Sequence, residues 1–461
     1  MALPEDTIAA IATPKGVGGI GIIRMSGPKA EEIGRHLFAP KKTIDTLQSH
    51  HLYHGDIVSP DSRAIIDEVL FTIMRKPHSY TGEDIVEINC HGGPVILEAV
   101  LDELLKAGAC LAEPGEFTKR AFLNNRLDLS QAEAVIDLIT AKTEKGLTLA
   151  LSHLKGDLSD KIATLRSSLI EIFATLETSI DFTEEDIEVS AITGLSDDIQ
   201  TAMDTISEML STYREGKIAR EGLVTVITGK PNVGKSSLLN KFLGEQRAII
   251  TPIPGTTRDF IEGDLYVKGM PVKLIDTAGI RDVEDIIEKE GIRLVWEKAR
   301  SADLVILLFD GSSDLKEEDR EVIEKNRSKD IIPVVNKTDL PQKLDEAALL
   351  TFLQEVTPLR ISAKYGDGIE ELKEKIYLRA SRYMADEAES DVVLTNLRHK
   401  IALEKAHDLL ARSRDSIREG HSPEFAAFDM REALDSLGEI VGETTSEDIL
   451  DRIFSNFCIG K

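Results

Sequence analysis

The chain has 461 residues, which at about 150 residues per domain predicts roughly three domains. Lysine and arginine total 55 against 81 aspartates and glutamates, so the formal net charge of −26 argues against coating nucleic acid through bulk electrostatics. Hydrophobic residues make up 42% of the chain, and its three cysteines, Cys90, Cys110 and Cys458, exclude a disulfide framework and indicate a reducing compartment. We find no signal-peptide pattern and no run of about 18 apolar residues, so we expect a cytoplasmic protein with no membrane contact.

The first 119 residues predict an α+β domain. Short apolar runs broken by glycine cover residues 7–13 and 18–27, and two more runs follow in residues 67–77 and 84–94. Such runs are typical of strands. The stretch 95–109 instead has the three- and four-residue apolar spacing of a helix.

Residues 120–216 and 380–461 predict helices. In the first stretch, apolar residues recur at three- and four-residue intervals from Leu158 to Ile180, and the acidic segment 181–188 interrupts the pattern. In the second stretch, Thr444 and Glu447 form a capping signal before the last helix. We expect the two stretches to form one helical domain with residues 217–379 inserted between them.

The inserted segment alternates apolar strand-like runs with helical segments, which is typical of a mainly parallel sheet. The sequence GKPNVGKS (229–236) follows one such run and precedes a helical stretch, so it fits the phosphate-loop pattern in its expected context. Its glycines let backbone N–H groups curl around phosphate oxygens. Lys235 is expected to reach the β- and γ-phosphates, and the Ser236 hydroxyl to ligate Mg²⁺.

Three further motifs follow in order, each at a predicted strand end. DTAG (276–279) places Asp276 beside the Mg²⁺ and the Gly279 N–H near the γ-phosphate. NKTD (336–339) provides Asp339 for guanine N1 and the 2-amino group, with Asn336 and the stem of Lys337 flanking the base. SAK (362–364) offers the Ala363 N–H to guanine O6. Since strand ends converge at one sheet edge, the motifs together predict a GTP-binding domain.

The segment PIPGTTRD (252–259) lies where a switch loop is expected. We favour Thr257 over Thr256 as the threonine that completes Mg²⁺ coordination. Small signalling GTPases place a water-orienting glutamine directly after DTAG, but this chain has Ile280 there. Either hydrolysis is slow, or another group orients the water.

Over essentially its whole length, the chain resembles the tRNA-modification GTPase family called MnmE or TrmE, a relative of Era- and EngA-like GTPases. The resemblance rests on the GTPase motifs and on TPKGVGGIGIIRMSG, TGEDIVEINCHGG, PGEFTKRAFLNNRLDLSQAEAV and the terminal FCIGK. It implies an N-terminal α+β folate-binding and dimerisation domain. It also implies a helical domain that carries an inserted Ras-like P-loop GTPase domain.

The resemblance further implies a potassium site and a catalytic glutamate. Asn232, Thr251, Ile253 (through its carbonyl) and Thr256 match the family's K⁺ ligands. A cation there offsets transition-state charge on the phosphates and promotes dimerisation of GTPase domains. Glu288 matches the residue that positions the attacking water. The complete set of expected GTP contacts is Asn232, Val233, Gly234, Lys235, Ser236, Ser237, Thr251, Pro252, Ile253, Pro254, Gly255, Thr256, Thr257, Asp276, Thr277, Ala278, Gly279, Asn336, Lys337, Asp339, Ser362, Ala363 and Lys364.

The resemblance also implies folate chemistry and partners. Arg24, Glu87, Arg126 and Lys461 match the family's contacts to 5-formyltetrahydrofolate, and Cys458 lies near the proposed one-carbon site as a second candidate catalytic residue. The family adds a carboxymethylaminomethyl or aminomethyl group to C5 of the tRNA wobble uridine. It acts as a homodimer with an FAD-dependent GidA-type MnmG subunit, in a heterotetramer, and GTP turnover drives domain motion.

One alternative function remains open and a second is disfavoured. One is a GTP-dependent ribosome-assembly or regulatory factor without covalent RNA chemistry, although residues after 379 lack the GxxG spacing of a KH module. The other, a folate enzyme with a vestigial GTPase domain, is disfavoured because every nucleotide-contacting position holds a competent residue. For His91 in NCHGG we prefer a structural, turn-adjacent role, since the sequence shows no partner base for it.

Overall fold

The computed structural model describes residues 6–14, 16–181, 189–245, 262–276, 302–385 and 392–461. The chain divides into two compact units. Unit 1 comprises Met1–Ile139, Ala150–Ser207 and Ile401–Lys461, and unit 2 comprises Thr140–Leu149 and Glu208–Lys400.

Unit 1 contains a sheet covered by two helices. In chain order its elements are β1 (Ile8–Ile11), β2 (Gly21–Ser26), α1 (Ala30–Leu37), β3 (Phe38–Pro40), β4 (Leu52–Val58), β5 (Ile65–Met74), β6 (Ile85–Cys90), α2 (Pro94–Lys106) and β7 (Cys110–Leu111). The strand order is β3-β4-β5-β6-β2-β1-β7, and the described pairings are antiparallel except β1 with β7. Leu37 and Val100 of the helices share one core with Ile23, Phe71 and Ile88 of the strands.

The helices that follow are α3 (Glu116–Leu123), α4 (Leu129–Thr140), α5 (Glu144–Lys155), α6 (Asp157–Asp181) and α7 (Val189–Ser211). In α6 the apolar residues Leu158, Ile162, Leu165 and Leu169 are buried, as their helical spacing predicts. Asp181, where the sequence predicts an interruption, is the last described residue of α6.

Unit 2 contains the second sheet. Its elements are α8 (Tyr213–Glu221), β8 (Leu223–Thr228), α9 (Lys235–Glu245), β9 (Glu262–Val267), β10 (Met270–Asp276), β11 (Leu304–Asp310), α10 (Glu317–Lys325), β12 (Ile331–Asn336), α11 (Glu346–Phe352), β13 (Leu359–Arg360) and α12 (Ile369–Ala385). The strand order is β13-β12-β11-β8-β10-β9, and the described pairings are parallel except β9 with β10.

Successive residues of β11 enter cores on opposite faces of this sheet. Ile306 and Leu308 pack with Phe242 of α9 and Leu372 of α12. Their neighbours Leu307 and Phe309 pack with Ile323 and Leu349 of α10 and α11. Burial on both faces explains the continuous apolar runs of these strands. Because β8 lies between β10 and β11, the strand order reverses beside it, and a crevice for a ligand forms at the carboxyl ends of such strands.

The last helices are α13 (Leu397–Arg418), α14 (Pro423–Val441) and α15 (Glu447–Phe454). Buried hydroxyls join α13 to α14, with Ser413 Oγ donating to Ala426 O and Ser436 Oγ to Ala402 O. None of the helices that the structure describes combines the length and hydropathy that crossing a bilayer requires. The predicted fold class, α+β and helical parts with an α/β GTPase-type unit, is confirmed. The predicted domain boundaries near residues 119, 216 and 379 stay predictions.

Candidate functional site

The loop of residues 229–234 joins β8 to α9 and has the strand–loop–helix geometry that the sequence predicts. Gly229 and Gly234 have φ angles of 155° and 103°. A Cβ would lie 2.3 Å from Leu308 O at the first and 2.3 Å from Asn336 Nδ2 at the second, so both positions require glycine. The helix begins at once, since the Leu238 N–H donates to Gly234 O. Its first N–H groups provide an anion-binding end.

The predicted phosphate-binding lysine is folded onto this loop. Lys235 is buried, and its ammonium donates to the carbonyls of Gly229 (2.8 Å) and Lys230 (2.9 Å). Ser236 and Ser237 are exposed at the start of α9, whereas the Val233 side chain is fully buried. Val233 is therefore available to a ligand only through its backbone.

Asn336 connects the loops that carry the motifs. Its Nδ2 donates to Val233 O (2.8 Å), and its Oδ1 accepts from the Ala363 N–H (2.9 Å). The sequence predicts that Asn336 flanks a base and that the Ala363 N–H faces guanine O6, and these two nucleotide contacts stay predictions. The amide is 2% exposed, and a polar group so deeply buried is normally paired within the protein. In this structure Asn336 therefore positions the phosphate loop against the SAK loop.

Asp339 is exposed at the same edge. Its Oδ1 accepts from the buried Ser362 hydroxyl (2.8 Å), and its Oδ2 has no hydrogen-bond partner among the described residues. One carboxylate oxygen is therefore held by Ser362, and this exposed acceptor group suits the two N–H donors on a guanine edge. Lys364 is exposed beside it and lies 5.0 Å from the ring centroid of Tyr365.

Lys337 reaches from the NKTD motif to the phosphate loop. Its ammonium donates to Asn232 O (2.8 Å) and contacts Asp310 Oδ2 (2.6 Å). Burial alone would raise the pKa of Asp310, but hydrogen bonds from Lys337 and Ser312 outweigh it and lower that pKa. The carboxylate therefore stays ionised and holds the Lys337 ammonium beside the phosphate loop.

Several predicted residues lie outside the described part of the chain. They are Thr251, Pro252, Ile253, Pro254, Gly255, Thr256, Thr257, Thr277, Ala278, Gly279 and Glu288. Asp276 ends β10, and its backbone pairs with Ile227 of β8, the strand that leads into the phosphate loop. The described residues contain no group of three or more His, Cys, Asp or Glu side chains arranged to hold a metal ion. The K⁺, Mg²⁺ and Glu288 assignments stay predictions.

In unit 1, three of the four predicted folate residues meet. Arg24 of β2 and Glu87 of β6 are direct cross-strand partners, and Arg24 Nε and Nη2 each lie 2.8 Å from Glu87 Oε1. Arg24 Nη1 also donates to Gly460 O (3.3 Å), which brings the end of the printed sequence to the sheet. The neighbouring Lys461 is partly buried and lies near the charge of Arg24. Both effects lower the pKa of Lys461, although the charge of Glu87 opposes the shift.

Tyr80 lies at the centre of this cluster and was missed by the sequence analysis. The Arg24 guanidinium lies 5.6 Å from its ring centroid and the Lys461 ammonium 5.7 Å, both within cation–π range. Its hydroxyl hydrogen-bonds Thr118 Oγ1 (2.9 Å), and burial raises the pKa of Tyr80. The only sequence signal is its place directly before the TGED segment that leads to Glu87.

The fourth predicted folate residue, Arg126, contacts the residue before Tyr80. Arg126 is exposed and its Nε donates to Ser79 O at 3.4 Å. It also lines a cavity of about 730 Å³. Cys458 has an exposed thiol, and its carbonyl accepts from the N–H groups of Gly115 (3.5 Å) and Lys461 (3.3 Å). Cys458 and Lys461 are thereby joined in one turn.

His91 has the partner that the sequence did not reveal. Its ring Nδ1 lies 2.7 Å from Asp67 Oδ1, and its backbone N–H donates to Asp67 Oδ2 (2.8 Å). The hydrogen bond and the charge of Asp67 raise the pKa of His91. The sequence shows no partner for His91, because Asp67 lies 24 positions away and only the fold brings the two together. The pair fixes the turn after β6, which agrees with a structural role.

A phosphate loop at a sheet switch point, followed by an NKTD loop tied to it, defines a P-loop GTPase. Two family models match this chain: "GTP-binding protein TrmE N-terminus" over residues 7–126 and "MnmE helical domain" over residues 129–458. The tRNA modification GTPase MnmE of Syntrophus aciditrophicus is 53% identical over 99% of this chain and 100% of its own length. That of Clostridioides difficile is 48% identical, with 99% of each chain covered. The chain belongs to the MnmE family of tRNA modification GTPases.

Among solved structures, the G domain of the T. maritima FeoB iron transporter is 31% identical. The alignment covers 34% of this chain and 98% of that one, with a TM-score of 0.28. The family membership, together with the site, makes this chain a GTP hydrolase that takes part in tRNA modification. The predicted family and enzyme class are confirmed.

Proposed function

We propose that this chain is a potassium-dependent cytoplasmic GTPase that modifies tRNA together with an FAD-dependent, GidA-type MnmG partner. As a homodimer within that complex, it adds a carboxymethylaminomethyl or aminomethyl group to C5 of the wobble uridine. The added carbon comes from 5-formyltetrahydrofolate or a related folate, and GTP hydrolysis drives a conformational change.

The observation that supports the folate part is that Arg24 and Lys461 both face the ring of Tyr80, while Glu87 pairs with Arg24. A carboxylate suits the amide and amino edge of a pterin, and an aromatic ring offers a face for the pterin to pack on. Two cations facing one carboxylate leave a net positive charge, which suits the carboxylates of the glutamyl tail. The residues present therefore fit this group, with Arg126 as a further cation at the edge.

For the nucleotide we propose the GTP contacts expected from the sequence. Ser236 and Thr257 would hold Mg²⁺, and Asn232, Thr251, Ile253 and Thr256 would hold K⁺; hydroxyl, carbonyl and amide oxygens are the ligands such hard cations prefer. The backbone carbonyl of Asn232 is bonded to Lys337, whereas its side-chain amide has no partner among the described residues. That amide is available to a cation. Bound K⁺ would supply positive charge beside the phosphates.

The catalytic roles that we propose are those expected from the sequence and the family resemblance. Lys235 would release the carbonyls of Gly229 and Lys230 and bind phosphate oxygens. Glu288 would position the attacking water, because Ile280 stands where small signalling GTPases have a glutamine. Cys458 would be a second catalytic residue, beside the one-carbon unit. Replacing K⁺ by Na⁺ should slow GTP turnover and weaken dimerisation of the GTPase unit, and equal rates in both salts would remove the potassium assignment.

The deciding experiment is nucleoside mass spectrometry of bulk tRNA from cells that lack this chain. We expect 5-aminomethyl-type wobble uridines to disappear, and to return with the wild-type chain but not with Glu87→Gln or Lys235→Ala. Glu98→Gln, on the exposed side of α2, serves as the matched control and should restore them. Intact wobble uridines in the deletion strain, where no redundant route exists, would favour the ribosome-assembly function instead.

A further inference from the structure

The second residue of the phosphate loop, Lys230, directs its side chain away from the glycine-rich turn. Its ammonium lies 2.8 Å from Asp319 Oδ2 and 3.3 Å from Ser313 Oγ. The side chains of Lys230 and Asp319 are only 9% and 2% exposed. This is a buried ion pair between the loop and α10, and none of the predicted GTP contacts includes either residue.

Asp319 is itself held rigidly. It is the third residue of α10, and its Oδ2 also accepts from the Lys316 N–H (3.0 Å). Its own N–H donates to Lys316 O (3.1 Å), so the reciprocal bonds fix the start of the helix. Ser313 donates its N–H to Asp310 O (3.3 Å) and so belongs to the turn that ends β11. Lys230 is therefore tied to two points of one rigid region.

The main chain of Lys230 carries the other half of the connection. Its carbonyl and that of Gly229 each accept a hydrogen bond from the ammonium of Lys235. One residue thus joins Asp319, through its side chain, to the phosphate-binding lysine, through its carbonyl. A shift of Lys230 would move both the start of the loop and the carbonyl that holds the Lys235 ammonium.

We propose that Asp319 is a positioning residue for GTP binding, acting through Lys230 to hold the phosphate loop in its binding shape before the nucleotide arrives. Among the described residues, Asp319 hydrogen-bonds none of the predicted nucleotide contacts. Groups already in place lose less freedom on binding, so this anchor strengthens nucleotide affinity rather than contributing to bond cleavage.

The test is steady-state GTP hydrolysis by the full chain carrying Asp319→Asn, which keeps the shape and removes the charge. We expect KM for GTP, and the Kd for a fluorescent GDP analogue, to rise roughly tenfold, within the range for groups in one network. The value of kcat should change less than about threefold, because the anchor acts equally on ground and transition states. Glu318→Gln removes a charge from the same helical turn at an exposed position, and is expected to leave both constants unchanged.

A double-mutant cycle with Lys230→Gln tests the route. If Asp319 acts through Lys230, Asp319→Asn has no further effect on KM in the Lys230→Gln background. Additive effects would overturn the proposed route, and an unchanged KM with only a lowered unfolding temperature would reduce the pair to a structural anchor. Should Asp319→Asn fail to fold, Lys230→Gln alone reports the same loss of affinity from the loop side, and an unchanged KM in that variant overturns the proposal.

Discussion

The nucleotide site in unit 2 and the cation cluster around Tyr80 in unit 1 are built in opposite ways. The phosphate loop is eight consecutive residues, and its polar groups are tied to one another by Lys235, Asn336 and Lys337. The Tyr80 cluster joins Arg24 to Gly460, residues 436 positions apart, and leaves its two cations facing a single carboxylate. The first site has a local loop at its centre, to which Asn336 and Lys337 bind from 103 and 105 positions away. The second site has no such local motif and is assembled from residues 63 and 436 positions apart. The second should therefore be more sensitive to changes outside it.

The largest effect is expected where the fold supports the Tyr80 cluster. Arg120 is 1% exposed and bonds Asp6 and Glu116, with Glu83 within 3.4 Å. Arg120→Met leaves Glu83 and Glu116, whose side chains are 13% and 17% exposed, without their counter-charge, whereas Asp6 is 49% exposed. The change should destabilise unit 1 by about 3 kcal/mol, the low end for a broken buried ion pair. Urea unfolding monitored in unit 1 measures this change. Folate binding should be lost while GTP hydrolysis remains.

Lys119, the preceding residue, provides the matched control. It pairs with Asp451 at 2.6 Å, but both side chains are substantially exposed. Lys119→Met should therefore change the unfolding free energy by only about 0–1 kcal/mol. Equal losses in the two variants would show that burial of the Arg120 network does not matter.

In unit 2 the sharpest test is Asp339→Asn. The substitution converts one acceptor oxygen of the carboxylate into an NH2 donor. The affinity for GTP should therefore fall by about 100-fold or more, and xanthosine triphosphate should become the preferred nucleotide. Competition binding with both nucleotides measures the switch. Asp314→Asn, an exposed acid after β11, should leave the preference unchanged. An Asp339→Asn variant that still prefers GTP would contradict the assignment of Asp339 to the guanine base.

How far the sequence predicts each site follows from the same contrast. Residues 229–236 predicted their own loop because the spacing of glycines, lysine and serine fixes it locally. The pairing of Asn336 with Val233 and Ala363 could not be predicted, because it depends on three loops meeting at one sheet edge. In unit 1 the sequence, through the family resemblance, indicated Arg24, Glu87 and Lys461. It missed Tyr80, since an isolated tyrosine after a proline-containing turn carries no spacing signal.

The missed residue gives a smaller, more selective effect. Tyr80→Leu removes the ring that faces Arg24 and Lys461, and should weaken binding of 5-formyltetrahydrofolate by roughly tenfold, as loss of a partly buried cation–π and packing surface predicts. Tyr80→Phe keeps the ring and loses only the bond to Thr118, so it should bind nearly normally. Isothermal titration calorimetry distinguishes the two. Equal weakening would assign the effect to the hydroxyl and not to the ring.

The smallest effect concerns His91, at the edge of the unit 1 sheet. Asp67 raises the pKa of His91 in the folded chain above its usual value, and Glu68 adds to the shift. The pair's contribution to stability is therefore complete below the pKa of the unfolded histidine and is lost as pH rises through the higher folded pKa. An NMR titration of the His91 ring should show that raised pKa, and Asp67→Asn should return it towards the ordinary value of about 6.5. Since the imidazole is 68% exposed, the associated change in unfolding midpoint between pH 6 and pH 8 should be small. A His91 pKa that does not respond to Asp67→Asn would mean that the close contact carries no charge coupling.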